Sequence, residues 1–489
     1  MRKLTILQIT LAFLVFSGCA SEKETGEWQD LFDGETLDGW NKSAENPESF
    51  KVEDGAIKCS GDRAHLFYEE DFENFEFEAE VKSMSGSNSG IFIHTDHQEE
   101  GWPAQGYEIQ VNNTYRGSED YPERRKTGSI YNVRNVYYPL VEDEEWFKVR
   151  VKVVENLIEV FINDIKVNEY TEPEEPWRWE GGENVILGKG TFALQAHDDE
   201  STVFFRNIRA RHLPDEERKS LPTDEEWDTK VTRLMKDGFP LIDYHVHLKG
   251  GLTLKNVMDN SRRLGINYGI APNCGLHFPV TNDSSLNAYL DNVKESPLFK
   301  GMQAEGREWV TLFSPEAISQ FDYVFTDAMT FTDAKGRRNR IWIPEEVWVD
   351  DKEKFMDQLV EKIEAIFSQE PVDIYVNPTV LPDTIADEYD ELWTEERMQR
   401  VVDVLAENEI ALEINARYEL PRPEMINMAK EAGLKFTFGT NNTGQDLGRL
   451  EYCLEMIEEC NLTPNDMFEI RDDDEKPVRI KGLPDEITG

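Results

Sequence analysis

Leu241-Ile242-Asp243-Tyr244-His245-Val246-His247 is the stretch on which the second half of the chain turns. Apolar residues lead into Asp-Tyr-His-Val-His. Successive side chains of a strand point to opposite faces, so His245 and His247 project together from a strand end while Val246 turns back to the core. Two imidazoles placed this way can hold one metal ion, whereas two ordinary loop histidines would be the plainer reading. Only 8 histidines occur in the 489 residues, which favours the first reading for a pair at this spacing. Working outward, short apolar runs recur at 241–244, 268–271, 299–304, 323–326, 374–376, 411–414 and 435–438. Helical patterns at 253–264, 352–367, 395–408, 424–432 and 446–459 separate them. This alternation predicts an α/β domain over 237–472, a parallel sheet closed into a distorted (βα)7 barrel. Polar residues follow nearly every run: His245 and His247; Asn273, Cys274 and His277; Glu305 and Arg307; Asp327; Asn377; Glu413, Asn415 and Arg417; Asn441 and Asn442. Barrel enzymes carry their sites on that C-terminal rim. Solvated loops would also be polar, though less often with ligand-type residues directly after the strand.

Upstream the period changes. Phe75, Phe77, Ala79 and Val81 alternate with Glu76, Glu78, Glu80 and Lys82, the pattern of a half-buried strand. Similar runs lie at 90–95, 107–112, 147–153, 158–162, 191–197 and 203–209, separated by turn-forming residues. No long amphipathic helix intervenes, which predicts an all-β antiparallel jelly-roll sandwich over 28–213. Glu108, Gln110 and Asn112 share one face of their strand. Gln195 and His197 share a face of theirs, as do Asn88, Phe92 and His94. On a concave sheet these groups would line a groove suited to a polyhydroxylated ligand. A solvated outer face would give the same alternation.

Several motifs stand in a fixed order: 30–40 (DLFDGETLDGW), 88–92 (NSGIF), 106–110 (GYEIQ), 127–131 (TGSIY), 194–198 (LQAHD) and 205–208 (FRNI). In this order they resemble the 3-keto-disaccharide hydrolase family, also called the 3-keto-glucoside lyase and hydratase family. The resemblance implies a concanavalin-like jelly roll acting on sugars oxidised at C3. His94 departs from the Arg common at its position, and Ala196-His197-Asp198 replaces the usual Asp-His-Gly. A C3 ketone acidifies the C2 proton. A base removes it, the C1 substituent leaves, and water adds to the resulting enone. Such a site needs a base, an enolate stabiliser and a proton donor to the leaving oxygen. The candidates are Glu108 and His197 as base or metal ligand, with Gln110, Tyr131 and Arg206 stabilising and Asn88, His94 and Asn112 binding substrate. A divalent metal on Glu108 and His197 would supply an electrophile.

The barrel half resembles the PHP (polymerase and histidinol phosphatase) metal-dependent phosphoesterases, through His-x-His, Gln303-Ala304-Glu305 and Leu412-Glu413-Ile414-Asn415. That resemblance implies His245, His247, Glu305 and Glu413 as metal ligands. Elsewhere neutral amides replace the family's strong ligands: Asn377-Pro378 for His-Pro, Asn273-Cys274 for Asp-His, and Gly439-Thr440-Asn441-Asn442-Thr443 for Gly-Ser-Asp-Ala-His. The expectation is one reduced metal site, with Asp327 or His277 completing it, or else a degenerate barrel.

The remaining stretches set location and exclude partners. Arg2 and Lys3 precede an apolar run at 4–16 and then Ser17-Gly18-Cys19, which reads as a signal peptide over 1–19, too short for a stable membrane span. Small residues before a cysteine resemble the bacterial lipobox. This implies lipidation of Cys19, a tether over 20–27, and, with Ala20-Ser21 following, anchoring at the outer membrane of a bacterial envelope. A net charge of −46, from 98 acidic and 52 basic residues, argues against a nucleic-acid partner. The other four cysteines show neither disulfide nor zinc-finger spacing. Residues 214–236 read as a charged linker with a short helix capped by Thr223, and 473–489 as a mobile tail.

The expected function is an envelope-anchored carbohydrate-active enzyme, with 3-keto-glycoside cleavage in the sandwich and a second, metal-dependent hydrolase-like barrel of unknown substrate. The alternative is a sugar-binding sandwich attached to a catalytic or degenerate barrel. No Gly-x-Gly-x-x-Gly phosphate loop is present, so a separate oxidoreductase has to make the 3-keto sugar.

Overall fold

The structure, a computed structural model, describes residues 26–118, 121–214 and 223–485. The signal peptide, Cys19 and residues 215–222 of the expected linker lie outside the described residues.

Phe75–Ser83 sits in the middle of the first sheet because its alternate residues Phe75, Phe77, Ala79 and Val81 are fully buried against the second. Strand order in the first sheet is Ile165–Thr171, Leu157–Ile162, Phe147–Val154, Phe75–Ser83, Thr202–His212, Ala56–Ser60, Phe50–Glu53, with Gln29–Asp30 paired to Thr202–His212. The second sheet runs Trp40–Lys42, Ala64–Tyr68, Thr191–Ala196, Asn88–Thr95, Tyr107–Asn112. Both are antiparallel, as the alternation predicts. On the outer face of the first sheet, Glu76 pairs with Arg150 and Arg211, Glu78 with Arg209 and Glu80 with Arg206. Arg206 also lies 3.9 Å over the Trp146 ring. It is thus a rung of a surface ion-pair ladder on the far side from the second sheet, which corrects its expected role as a stabiliser of bound substrate.

The second half is a closed barrel of seven parallel strands: Ile242–Val246, Asn267–Ile270, Phe299–Ala304, Tyr323–Thr326, Ile374–Tyr375, Ala411–Asn415 and Phe436–Gly439. Pairing of Asn267–Ile270 with Phe299–Ala304 closes the ring. Two other expectations change. The second part of the expected linker is the helix Glu225–Lys236, capped by Asp224 rather than Thr223. Its Trp227, Val231 and Met235 recur every four residues, form one apolar stripe, and join the barrel core. The start of the expected tail also packs: Pro477–Lys481 is a short helix with Val478 buried, and Lys476 Nζ donates to the carbonyl of Ser319 at 2.8 Å.

The sandwich meets the N-terminal ends of the barrel strands. Val136, Tyr137 and Tyr138 belong to the barrel's core cluster, and the Tyr268 N–H donates to the Tyr138 hydroxyl at 2.6 Å. A groove of about 650 Å³ lies on this seam, but its Arg124 and Arg471 are already paired with Glu469 and with Asp373 and Glu409. His245 and His247 lie at the other end of the barrel strands, buried.

Candidate functional site

The second sheet of the sandwich floors a cleft of about 430 Å³. Asn88, Phe92, Glu108, Gln110, Gln195 and His197 rise from three adjacent strands, and loops add Trp102, Tyr121, Tyr131, Asn132 and Trp179. Cross-strand register sets Phe92 opposite Glu108 and Gly90 opposite Gln110. Gly90 is required here: a Cβ at that position would lie 2.3 Å from Glu108 Oε1. The Gln195 amide donates to Glu108 Oε1 at 3.0 Å. Burial pushes the Glu108 carboxyl up to about 8, against a lesser opposing effect of that hydrogen bond, so it is protonated at neutral pH. His197 Nδ1 is 2.7 Å from Asp198 Oδ2. That contact holds the proton on Nδ1 and leaves Nε2 as the lone-pair nitrogen. Gln110 Oε1, Gln195 Oε1 and Asn132 Oδ1 are buried without a donor. Buried acceptors without partners are costly, so these oxygens fit hydroxyl groups of a ligand.

Two expected binding residues stand elsewhere. His94 has φ 54°, which breaks the alternation of its strand. Its ring packs on Phe75, Nε2 donates to the Glu73 carbonyl at 2.8 Å, and Nδ1 accepts from the Gly188 N–H at 3.2 Å. Asn112 is fully buried and holds the Arg125 carbonyl at 2.8 Å, bracing the adjoining loop. For the expected metal on Glu108 and His197, no group of three His, Cys, Asp or Glu forms a metal site among the described residues. Sequence reading passed over Asp198, Asn132, Trp102, Tyr121 and Trp179. Only Asp198, adjacent to His197, left a local signal; the others come from loops whose direction no periodicity encodes.

At the barrel rim, His245 and His247 are buried with ring centres 5.1 Å apart. His247 Nδ1 donates to the Ala271 carbonyl at 2.8 Å, and His245 Nδ1 lies 2.6 Å from Glu413 Oε1. Both Nε2 atoms are buried and unpartnered. Glu413 Oε2 accepts from the Asn377 N–H at 2.7 Å and the Asn415 side chain at 2.8 Å. Both its oxygens thus take part in hydrogen bonds, and Glu413 braces the His245 ring. Gly439 makes room for this pair, since a Cβ there would sit 1.9 Å from Glu413 Oε1. Asn441 donates to Asn377 Oδ1 at 2.8 Å, and Asn377 in turn donates to Asp327 Oδ2 at 3.3 Å. Glu305, held by Asn273 at 2.7 Å, is pushed up to about 8, first by burial and then by Asp327. His277 is exposed and takes part in none of these hydrogen bonds; Arg417 is exposed, its backbone N–H donating to Asn415 Oδ1 at 3.0 Å and its guanidinium to the Asn441 carbonyl at 3.4 Å. The two free imidazole nitrogens beside two buried acids suit a cation, although no set of three His, Cys, Asp or Glu closes around one point among the described residues.

A protein of Bacteroides thetaiotaomicron named 3-keto-disaccharide hydrolase is 28% identical, over 37% of this chain and 77% of its own length. The crystal structure of a candidate glycosyl hydrolase from Parabacteroides distasonis is 24% identical, covering 38% of this chain and 94% of its own, with TM-score 0.35. A histidinol phosphate phosphatase of Lactococcus lactis, solved with zinc, L-histidinol and phosphate, is 14% identical and covers 47% of this chain and 99% of its own, with TM-score 0.32. Residues 27–211 match the model of the 3-keto-alpha-glucoside-1,2-lyase-like domain.

Proposed function

We propose that the sandwich cleaves 3-keto-glycosides by elimination followed by hydration. The reading is carried by one juxtaposition: a neutral Glu108 carboxyl and a His197–Asp198 pair in one cleft, among buried oxygens that lack donors. His197 Nε2 removes the C2 proton. The electrons form the enolate of the C3 ketone, to which the Tyr131 hydroxyl donates once it turns from Glu123. The enolate then expels the C1 substituent, whose oxygen takes the Glu108 proton. Glu108, now a carboxylate, activates water that adds to C1, and the proton held by His197 returns to C2. The net reaction is hydrolysis. Exposed Trp102 and Tyr121 at the mouth supply apolar faces on which a sugar or aglycone stacks. Full-length protein incubated with a 3-keto-glucoside is expected to release aglycone with transient enone absorbance. Release that persists undiminished in Glu108→Gln removes this mechanism. A separate oxidoreductase is required to form the C3 ketone.

We further propose that the barrel holds a divalent metal, with the unpartnered Nε2 atoms of His245 and His247 as its nitrogen ligands. A metal there would polarise a bound ester or carbonyl oxygen. Its test is metal content after dialysis: wild type retaining no more than His245→Ala would end the reading. Anchoring through Cys19 to the envelope is the third part of the proposal; Cys19→Ser is expected to abolish fatty-acid incorporation and membrane fractionation.

A further inference from the structure

One connection of the sandwich serves two surfaces. Between strands Tyr107–Asn112 and Phe147–Val154 the described residues form no helix, and no strand beyond isolated bridges, yet Tyr121, Tyr131 and Asn132 from this connection line the cleft. The same connection docks on the barrel. The Tyr137 N–H donates to Asn267 Oδ1 at 3.1 Å, and Asn267 Nδ2 donates to the Asn135 carbonyl at 2.9 Å. The Tyr137 hydroxyl donates to the Phe239 carbonyl at 3.0 Å. Asn135 Nδ2 donates to the Met235 carbonyl at 3.1 Å, in the last turn of helix Glu225–Lys236. Arg125, buried, reaches that same carbonyl at 3.5 Å. A helix C-terminus offers unsatisfied carbonyls and favours a cation, so this is a stable place for the guanidinium.

Arg125 then carries the contact into the cleft. It pairs with Glu123 at 3.3 Å and lies 4.6 Å over the Tyr131 ring. Glu123 accepts from the Tyr131 hydroxyl at 3.2 Å. On the other wall, Trp179 lies 5.4 Å from Lys236 Nζ. The connection is also tied to strand Tyr107–Asn112, where the Tyr131 N–H donates to the Glu108 carbonyl at 2.9 Å and the Gly128 N–H to the Gln110 carbonyl at 3.0 Å; the contacts with the barrel offset the ordering entropy of the rest.

We propose that the barrel completes the cleft of the sandwich: Asn267, Tyr137 and Arg125 are positioning residues that fix Tyr131 through the docked connection. This goes beyond the cleavage reading and rests on it only for the activity readout. The test uses the full-length chain with Asn267→Ala and Tyr137→Phe, both outside the cleft. Turnover of a 3-keto-glucoside is measured beside hydrogen exchange at the amides of 121–138, with circular dichroism as the check on folding. The expected result is a kcat about tenfold to a hundredfold lower with KM little changed, together with faster exchange at Thr127, Ser129 and Tyr131, and at Gln110, whose N–H donates to the Ser129 carbonyl at 2.9 Å, and unchanged exchange over 88–95. Unchanged exchange in both variants overturns the proposal whatever turnover does. Faster exchange with undiminished turnover overturns it as well, since the cleft would then work without the docking. If the wild type does not turn the sugar over, the cleavage reading fails and the exchange result alone decides. If Asn267→Ala does not fold, Tyr137→Phe, which keeps the ring and removes one hydrogen bond, carries the test.

Discussion

At the residue scale, Glu108 and Gly90 act as one unit. In the proposed mechanism a protonated Glu108 is the proton donor, and burial, which disfavours the charged form, pushes its carboxyl up to about 8. The acid form is complete below that value and is lost as pH rises through it. The rate of aglycone release is therefore expected to fall on the alkaline side with an apparent pKa of about 8, and Glu108→Gln to lower the rate about a hundredfold or more. A pH profile flat from 7 to 10 would remove Glu108 as the acid. Gly90→Ala probes the same group indirectly. The added methyl would meet the Glu108 carboxyl, which must swing away. The expected outcome is a comparable loss of turnover at a stability cost of about 1–3 kcal/mol, read by thermal melting. Gly439 stands in the same relation to Glu413 and His245. Gly439→Ala is expected to lower metal retention while Glu305 and Asp327 remain in place.

At the scale of elements, much was legible in the sequence, because burial on alternate faces writes itself into the pattern. Tyr107–Asn112 was readable to the residue, and each of the seven barrel strands to within about two residues. Asn88, Glu108 and Gln110, and His197 one residue past its strand, are legible for the same reason, while Tyr131, on a loop, is named only through the ordered motif at 127–131. Trp102, Tyr121 and Trp179 were not, because loop direction depends on tertiary contacts. Arg206 and His94 show the complementary error. Alternation tells that two residues share a face but not which face lines the cleft, and a single left-handed residue such as His94 breaks the count. The helix Glu225–Lys236 was visible as a helix but misread as a linker, since its partner surface is the barrel floor. Trp227 is 8% exposed there, with its indole N–H donating to the Leu264 carbonyl at 3.0 Å. Trp227→Ala is expected to destabilise the barrel by about 3–5 kcal/mol, measured by denaturant titration; a tryptophan in a true linker would cost almost nothing.

At the scale of the whole molecule, composition states the surface but not the seam. The chain's −46 charge predicts mutual repulsion between acidic domains, yet the sandwich and barrel are joined by buried polar contacts. Arg134 of the sandwich pairs with Asp228 of the docking helix, the two side chains being 6% and 7% exposed. Arg134 also donates to Thr232 at 3.3 Å, and its guanidinium lies 4.8 Å from the Tyr170 ring. Rim pairs such as Arg116 with Asp472 are exposed and contribute little. The buried pair is different, because removing one partner leaves the other charge desolvated and alone. Asp228→Ala is accordingly expected to cost about 3–5 kcal/mol. It should do so by separating the domains: calorimetry of the wild type is expected to show one transition in which both melt together, and the variant two, with the earlier one opening the seam. The companion change Arg134→Met in the Asp228→Ala background tests the cause. If an unpaired buried arginine is the penalty, the double variant recovers part of the loss; if it melts no higher than Asp228→Ala, the seam is held by the packing of Val136, Tyr137 and Tyr138 and not by the ion pair.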